Sequence, residues 1–358
     1  MHVFRLLAAC SLIALAAEPA VAATHADFLY GHSTDGANQP FRYFVPPGYS
    51  SAQAYPLILF LHGSGERGSE NEAQLNNNAN GALQLIGDNQ LALQPVFMIA
   101  PQCPTGGWWS GATLTTAIGL IDQIAATYHI DPDRVYVTGL SMGGMGTWSA
   151  VTSQPTRFAA AVPMSGNGAT NAAAAVRAIP FWFFHANNDS TVAVAGSDTL
   201  VAALRNAGSS TIYTRYDTGG HTIWSAAYAH PLLFPWLVSQ QRGNPSTITP
   251  PILRIAQPTA GNAWSTDQPT IDLAGTTNND GNAIDALAWD APAGNGNASG
   301  TTTWSAVGLS LNQGTNLIHV TATSPSEYTP YGGHTSFNDS LRVTRGGDMI
   351  FTDGFEVN

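Results

Sequence analysis

The chain has 358 residues, of which 44% are hydrophobic and 10% charged, and its formal net charge is -11 at pH 7. All permanent cations are arginines, and acidic residues outnumber them 23 to 12, so the composition argues against nucleic acid or an anionic membrane surface as a partner. No apolar run approaches the roughly 18 residues of a membrane-spanning helix, so no integral membrane association is expected. The length allows one large domain and a smaller one.

The first residues have the pattern of a secretory signal peptide. Arg5 supplies a positive charge, an apolar run follows at 6–17, and small residues lead up to Thr24. We therefore expect residues 1–23 to be removed and the protein to be secreted. Processing would leave Cys103 without a cysteine partner in the chain, so neither an intrachain disulfide nor a cysteine metal site is expected.

Between residues 26 and 241, short β-rich apolar runs alternate with helical patterns. The predicted strands cover residues 41–46, 57–61, 96–100, 135–140, 158–164, 180–185 and 211–216. The predicted helices cover residues 115–129, 142–154, 200–207 and 225–241. This alternation indicates an α/β fold, a doubly wound and mostly parallel sheet with helices on both faces, which we assign to residues 24–242.

The composition changes after residue 242. Residues 243–251 read as a Pro/Ser/Thr linker, and short alternating runs follow without a helical pattern. These runs predict strands at 252–255, 270–273, 284–289, 301–307, 316–322 and 340–343, separated by Asn/Gly/Asp turn clusters. Their spacing predicts a small all-β sandwich over residues 252–346, with a tail at 347–358 outside it.

The stretch from Val135 to Gly144 contains the most informative motif, a β-branched strand that runs into Gly-Leu-Ser-Met-Gly, with Ser141 at its centre. A serine on a sharp strand-to-helix turn needs small neighbours, because the turn is strained and the hydroxyl must project clear of the backbone. The following helix directs N–H groups and the positive end of its dipole to the same place. The pattern favours Ser141 as a nucleophile over a plain glycine turn.

A nucleophilic serine needs a base, and the base needs a third group that fixes its tautomer. In doubly wound hydrolases these partners follow on loops after later strands, in the order Ser, acid, His. Asp189 follows the strand at 180–185, and His221 lies in a Gly-Gly loop before the last predicted helix. We therefore predict that Ser141, Asp189 and His221 form the catalytic set.

Three other residues are rivals for these roles. Asp217 lies close to His221 in sequence, at the end of a strand where it could merely start the turn. His185 sits inside an apolar strand and is interpreted as a core histidine. His230 precedes a proline in the last predicted helix and is expected to pack.

An oxyanion needs two donors. The N–H of Met142, next to the nucleophile, is expected to be one of them. The second is expected from Ser64 or Gly65, in the loop that follows the strand at 57–61, because small residues there let the backbone approach a reacting carbonyl.

The motifs together are similar to those of a known superfamily. Residues 26–241 resemble α/β-hydrolases of the dienelactone-hydrolase-like and feruloyl-esterase/polyhydroxyalkanoate-depolymerase branch. Besides the nucleophile turn, four segments carry the resemblance: His62-Gly63-Ser64-Gly65-Glu66-Arg67-Gly68, Ala100-Pro101-Gln102-Cys103-Pro104, Asp131-Pro132-Asp133-Arg134-Val135-Tyr136 and Gly220-His221. The acid loop departs from the pattern, with Asn188 where a glycine and Ala193 where a proline is common. The resemblance implies an esterase without a metal or organic cofactor.

The C-terminal part carries looser resemblances. Residues 269–276 and 311–322 resemble bacterial immunoglobulin-like repeats, which implies an immunoglobulin-like sandwich. Residues 351–356 resemble a short C-terminal motif of exported bacterial proteins.

Aromatic residues suggest where a substrate binds. Trp108 and Trp109 lie in a loop expected at the carboxyl edge of the sheet, where ligands of such folds bind. Trp224 follows His221 by about one helical turn, and Glu66 is expected either to bind substrate or to pair with its neighbour Arg67. Exposed aromatic rings at these positions would suit a sugar ring, an aryl ester or a polyester chain. Two further tryptophans, Trp148 and Trp182, are expected to be buried.

The sequence therefore predicts a secreted serine carboxylesterase, with a polymeric ester such as polyhydroxyalkanoate or a feruloylated or acetylated xylan as the candidate substrate. An appended β-domain favours a polymer because tethering raises the local concentration at a surface, although it would equally serve as a spacer. Two alternatives stay open, a serine peptidase on the same scaffold and a non-catalytic polymer-binding or adhesion protein. The oligomeric state is not predicted.

Overall fold

A computed structural model describes residues 25–76, 80–246, 249–325 and 331–346. The predicted signal peptide at 1–23 and the tail at 347–358 lie outside the described residues. Within the described ranges, no helix combines the length and the apolar character needed to cross a membrane.

The N-terminal part is built on a mixed sheet. Its strands, β1 to β8 in chain order, are Phe28–His32, Pro40–Phe44, Tyr55–Leu61, Phe97–Pro101, Ile130–Leu140, Ala160–Met164, Trp182–Ala186 and Ile212–Tyr216. They lie in the order β1-β2-β4-β3-β5-β6-β7-β8. β1 and β2 pair antiparallel with their neighbours, and the remaining six strands, β3 to β8, run parallel to one another. Every strand predicted here is present, with ends shifted by a few residues, and β1 is an addition.

Helices connect these strands. Among the described residues these are, α1 to α7 in chain order, Asp88–Leu93, Gly111–Ala125, Met142–Ser153, Ala173–Val176, Ala195–Asn206, Trp224–Tyr228 and Leu233–Ser239. Short 3₁₀ turns lie at His25–Asp27, Ser64–Glu66, Ala73–Leu75, Ala82–Ile86 and Thr170–Ala172. The single helix predicted at 225–241 is wrong, because the chain breaks into α6 and α7 around Pro231, whose ring cannot continue a helical ladder.

The core lies on both faces of the sheet, and β3 shows how it is built. Every residue of β3 is buried, and alternate side chains enter different clusters. Ile58 and Phe60 pack on one face, while Leu57 and Leu59 pack on the other. Continuous apolar runs such as this one are typical of strands that are covered on both sides.

The C-terminal part is built from strands. These are, β9 to β17 in chain order, Ile252–Gln257, Ala263–Thr266, Thr270–Asn278, Ala286–Ala291, Gly294–Asn297, Ser299–Gly300, Thr303–Ser310, Gly314–Pro325 and His334–Arg345. They form two sheets, one in the order β14-β15-β11-β9 and one in the order β17-β16-β12-β13 with β10 parallel to β17. The six predicted strands are present, and β10, β13 and β14 are additions.

One of these sheets continues the N-terminal sheet. β17 pairs antiparallel with β8 through His334, Thr335 and Ser336, so the two parts share a 13-stranded sheet. The sequence indicated two units joined by the linker at 243–251, and that division stays a prediction; the pairing of β8 with β17 adds a direct contact between the two parts. The pairing joins strands that are far apart in the chain, so no local sequence pattern predicts it.

Arg205 of α5, which is half-buried, reinforces this junction. Its Nη2 donates to the carbonyl oxygen of Ser336 at 3.1 Å, and its Nε donates to Oδ1 of Asn338 at 3.1 Å. Burial lowers the pKa of Arg205 to about 10, so the guanidinium stays charged at neutral pH. Withdrawing a cation from water costs free energy unless its donors find acceptors, and β17 supplies acceptors for Nε and Nη2.

Candidate active site

Ser141 stands on a strained turn between β5 and α3. Its φ and ψ are 54° and -116°, a region that residues with a side chain rarely adopt. The backbone next to this turn is closely packed, because a Cβ on Gly143 would lie 1.8 Å from the carbonyl oxygen of Leu61. The close approach of β3 to the start of α3 therefore requires glycine at 143.

The loops after β7 and β8 bring two polar side chains to this serine. Nε2 of His221 lies 2.8 Å from Oγ of Ser141, and Nδ1 of His221 lies 2.7 Å from Oδ2 of Asp189. The structure thus joins the three residues predicted as the catalytic set in one hydrogen-bonded chain. The geometry allows His221 to accept the Ser141 proton while its other nitrogen donates to the carboxylate.

The carboxylate of Asp189 is buried and is held by its own loop. Its Oδ1 accepts hydrogen bonds from the N–H groups of Thr191 and Val192, each at 2.9 Å. Burial acts to raise the pKa of Asp189, but the hydrogen bonds from His221 and from these N–H groups outweigh it and hold the pKa below its ordinary value. Asp189 is therefore ionised at neutral pH.

His185 was expected to be a core histidine, and it is fully buried, but it also contacts the site. Its Nε2 lies 3.1 Å from Oδ2 of Asp189 and 2.9 Å from the carbonyl oxygen of Val192, while its Nδ1 lies 2.8 Å from Oγ of Ser197. Burial lowers the pKa of His185, so the ring is neutral. Because both neighbours of Nε2 are acceptors, Nε2 carries the proton and donates to them. The four-residue spacing to Asp189 was the available sequence signal.

The loop after β3 is anchored by a second buried histidine. Nε2 of His62 accepts the N–H of Cys103 at 2.9 Å, and Nδ1 donates to the carbonyl oxygen of Gly63 at 2.6 Å. Burial lowers the pKa of His62 to about 4, so this tautomer is neutral and fixed. The indole N–H of Trp109 donates to the carbonyl oxygen of His62 at 2.9 Å and fixes the same loop from below.

This loop carries the predicted oxyanion donors to the side of the nucleophile. A Cβ on Gly63 would lie 2.9 Å from the side chain of Leu140, the residue before Ser141. Ser64 and Gly65 follow on the surface, at the start of a 3₁₀ turn whose first N–H groups have no partner inside the turn. Met142 is the first residue of α3, so its N–H likewise has no partner inside the helix.

The two adjacent tryptophans have different environments. Trp108 is 53% exposed, and the guanidinium carbon of Arg67 lies 4.9 Å from the centre of its ring. Trp109 is only 2% exposed, and its Cβ lies 2.5 Å from where a Cβ on Gly146 would stand. The prediction that Trp109 forms a substrate wall is therefore wrong, because its ring packs against α3 and supports the loop at His62.

Trp224 and Glu66 lie close to the triad loops. Trp224 is 9% exposed, and its ring meets that of His221 edge-on with centroids 5.2 Å apart. Oε1 of Glu66 accepts a hydrogen bond from Nδ2 of Asn80 at 3.2 Å, and the guanidinium of Arg67 lies over Trp108. Their roles toward a substrate stay predictions.

The other two rivals, Asp217 and His230, have partners outside the hydrogen-bonded set. Oδ1 of Asp217 accepts a hydrogen bond from Nδ2 of Asn187 at 3.4 Å. His230 is buried, meets Trp182 edge-on, and has a pKa lowered to about 4 by burial. Trp148 and Trp182 are buried as predicted. The described part of the chain holds no cluster of three or more His, Cys, Asp or Glu residues that could bind a metal ion.

The parallel central sheet with its serine on the strand-to-helix turn has an α/β-hydrolase-like architecture, and the site holds the nucleophile, base and acid that a serine hydrolase requires. Comparison with known proteins agrees. The model of the prolyl oligopeptidase family matches residues 107–182, which include β5 and the turn at Ser141. A thermostable esterase of known structure is 36% identical with a TM-score of 0.59, over 61% of this chain and 64% of that one.

Curated relatives also include esterases. The bifunctional acetylxylan esterase/xylanase XynS20E of Neocallimastix patriciarum is 31% identical over 43% of this chain and 22% of its own. Poly(3-hydroxyalkanoate) depolymerase C of Paucimonas lemoignei is 28% identical over 37% of this chain and 32% of its own. The chain thus spans less than a third of the length of either relative.

Proposed function

We propose that the protein is a secreted carboxylesterase that works through an acyl-enzyme. His221 takes the proton of the Ser141 hydroxyl at Nε2 as the oxygen attacks the ester carbonyl, and Asp189 holds the imidazole in the required tautomer. The N–H of Met142 and that of Ser64 or Gly65 bind the developing oxyanion. His221 then protonates the leaving alkoxide, and water activated by the same histidine hydrolyses the acyl-enzyme.

The observation that carries this proposal is the hydrogen-bonded chain from Ser141 through His221 to Asp189, with distances of 2.8 and 2.7 Å. Its serine lies on a strained turn, and its carboxylate is buried and ionised. Together these features give a nucleophile, a base and an orienting group in reach of one another without rearrangement.

We propose an ester carried on a polymer as the substrate. Two relatives carry acetylxylan and poly(3-hydroxyalkanoate) in their names, and both of these are polymers. Trp108, largely exposed, offers an apolar ring to such a chain. The proposed export, which rests on the signal-peptide pattern at 1–23, would bring the enzyme to substrates too large to enter a cell.

We propose that residues 252–346 form an immunoglobulin-like sandwich. The strand orders β9-β11-β15-β14 and β17-β16-β12-β13 fit the two sheets of that fold, with β9, β11, β14 and β15 in the places of strands A, B, D and E. The parallel β10 at the edge of β17 would then be a continuation of the first strand.

A second candidate is a serine peptidase. The match to the prolyl oligopeptidase model over residues 107–182 favours it, because that stretch includes the nucleophile turn. The catalytic residues would act in the same way on an amide, so substrate tests must separate the two activities.

A substrate panel tests the proposal. Purified residues 24–358 are incubated with acetylxylan, a feruloylated xylan, poly(3-hydroxybutyrate) and peptide p-nitroanilides, each beside Ser141→Ala. We expect release of acid from at least one ester polymer by the unaltered protein and none by Ser141→Ala. Cleavage of the anilides with no release from any ester would instead establish the peptidase.

A further inference from the structure

The C-terminal part touches the loop that carries His221. The N–H and the Oγ1 of Thr218 both donate to the carbonyl oxygen of Tyr331, each at 3.2 Å. A Cβ on Gly219 would lie 3.0 Å from the ring of Tyr331. Tyr331 therefore covers the beginning of the short loop formed by residues 218–221, which we call the histidine loop.

The ring of Tyr331 also contacts the strand that leads into this loop. It meets the ring of Tyr216 edge-on, with centroids 5.8 Å apart, and Tyr216 is the fully buried last residue of β8. The side chain therefore fills the angle between the end of β8 and Gly219. Its removal would leave the turn at this point without packing on that side.

The histidine loop has little stiffness of its own. Gly219 and Gly220 have φ values of +110° and +60°, which glycine adopts freely and which leave many other conformations open. Its position must therefore come from its contacts. On the N-terminal side, Oδ1 of Asn188 accepts the N–H of Gly220 at 2.8 Å, and Oγ of Ser165 donates to the carbonyl oxygen of His221 at 3.2 Å.

The other side is supplied by the C-terminal part, and that support is fixed. Tyr331 lies just before β17, which pairs with β8 and accepts the hydrogen bonds of Arg205. Gly333 packs directly on β8, since a Cβ there would lie 2.1 Å from the carbonyl oxygen of Arg215. Nδ2 of Asn338 donates to the carbonyl oxygen of Ser209 at 2.9 Å.

We infer that Tyr331 is a positioning residue for His221, and that the C-terminal part belongs to the catalytic unit rather than serving only as a tether or spacer. The inference rests on the proposed role of His221 as the base. With the ring in place, the loop holds Nε2 of the imidazole at hydrogen-bond distance from Ser141. Without it, the glycines let the imidazole leave that position for part of the time.

The test uses the full chain with three substitutions. Tyr331→Ala removes the ring, Tyr331→Phe keeps it, and Trp264→Ala removes an exposed ring of β10 elsewhere on the C-terminal part as a matched control. For Tyr331→Ala we expect a fall in kcat of about tenfold with KM within a factor of two, because small displacements of a catalytic group reduce rate strongly. Tyr331→Phe and Trp264→Ala should retain the kcat of the unaltered protein.

Hydrogen exchange read by mass spectrometry supplies a measurement that is independent of activity. Peptides that span the histidine loop should exchange at least several times faster in Tyr331→Ala than in Tyr331→Phe or Trp264→Ala. If Tyr331→Ala does not unfold cooperatively, Tyr331→Leu replaces it, because leucine keeps apolar contact with Tyr216 but not the planar ring over Gly219.

The outcomes distinguish the role of Tyr331 from the proposed esterase activity. Unchanged exchange and unchanged kcat in the ring-removing variant would overturn the inference while leaving the esterase intact. If the unaltered protein were inactive, the proposed function would be contradicted. The hydrogen-exchange experiment would still show whether Tyr331 holds the histidine loop. A parallel loss in Tyr331→Phe would also contradict the inference, because the ring and the carbonyl are retained there.

Discussion

His185 and Asp189 share a buried hydrogen bond of 3.1 Å, and the oxygen that accepts it, Oδ2, is the same atom that accepts from His221. One carboxylate oxygen therefore binds two imidazoles, one neutral and buried and one facing the nucleophile. Oδ1 is occupied by two backbone N–H groups. Asp189 consequently has little freedom to rotate, which gives His221 a fixed partner.

Removal of this second imidazole should slow turnover without abolishing it. His185→Leu leaves Oδ2 with one donor fewer and leaves the Ser197 hydroxyl without its ring acceptor, so the carboxylate can shift. We expect kcat to fall about tenfold with little change in KM. His185→Gln retains an amide N–H and should recover part of the rate. Steady-state kinetics on a p-nitrophenyl ester measure both effects, and equal rates in all three proteins would contradict a positioning role.

Asp189→Asn should be far more damaging. An amide can donate to Nδ1 of His221, which would favour the tautomer with its proton on Nε2 and remove the base for Ser141. We expect kcat to fall by about 10³-fold or more. Asp217→Asn provides the comparison, because Asp217 is the rival acid and contacts Asn187 instead. If Asp217→Asn proved the more damaging of the two, the acid would have been assigned to the wrong residue.

The adjacent tryptophans should respond differently to substitution. Trp108→Ala removes an exposed ring, so we expect unchanged stability and a raised KM for aryl or polymeric esters, with kcat on a short acetyl ester kept. Trp109→Ala removes a buried ring and its hydrogen bond to His62, which should destabilise the fold by about 3–5 kcal/mol. Thermal unfolding and steady-state kinetics on both variants provide the measurement. A Trp109→Ala protein as stable as Trp108→Ala would rule out its supporting role.

Acid should destabilise the fold through its buried histidines. The pKa of His62 and that of His230 fall from 6.5 to about 4 on folding, so the unfolded chain binds more protons between these values. The contribution of these histidines to the free energy of unfolding is therefore fully present above about pH 6.5. It decreases as the pH falls toward 4, by about 3 kcal/mol for each histidine. Urea unfolding at several pH values measures the slope, and His230→Gln should reduce it by up to one proton. An unchanged slope would mean that His230 titrates normally in the fold.

The nucleophile turn could be predicted because its information is local. A β-branched strand, small residues around Ser141 and a following helix occupy one continuous stretch, and strain there needs glycine at fixed offsets. The order of acid and base along the chain likewise follows from strand order. Even the departure from the related pattern at Asn188 has a contact to account for it, because its side chain accepts the N–H of Gly220.

Other features depend on distant partners and were not predictable. The pairing of β8 with β17 joins an edge strand to a segment more than a hundred residues away, and the sequence pattern of β8 is the same with or without it. Trp108 and Trp109 have the same side chain and neighbouring positions, so only the fold separates the exposed ring from the buried one. His185 was predicted only as a core residue, because its hydrogen bond to Asp189 depends on how the loop after β7 folds back.

The most direct test of the central claim is the intact mass of the protein after reaction with a fluorophosphonate, followed by peptide mapping. We expect one adduct per chain on the peptide that contains Ser141, and we expect folded Ser141→Ala neither to form the adduct nor to hydrolyse a p-nitrophenyl ester. An adduct on another residue, or equal labelling of Ser141→Ala, would contradict the assignment of the nucleophile. A folded wild-type protein that neither reacts with the fluorophosphonate nor hydrolyses any ester would contradict the proposal that the protein is an enzyme.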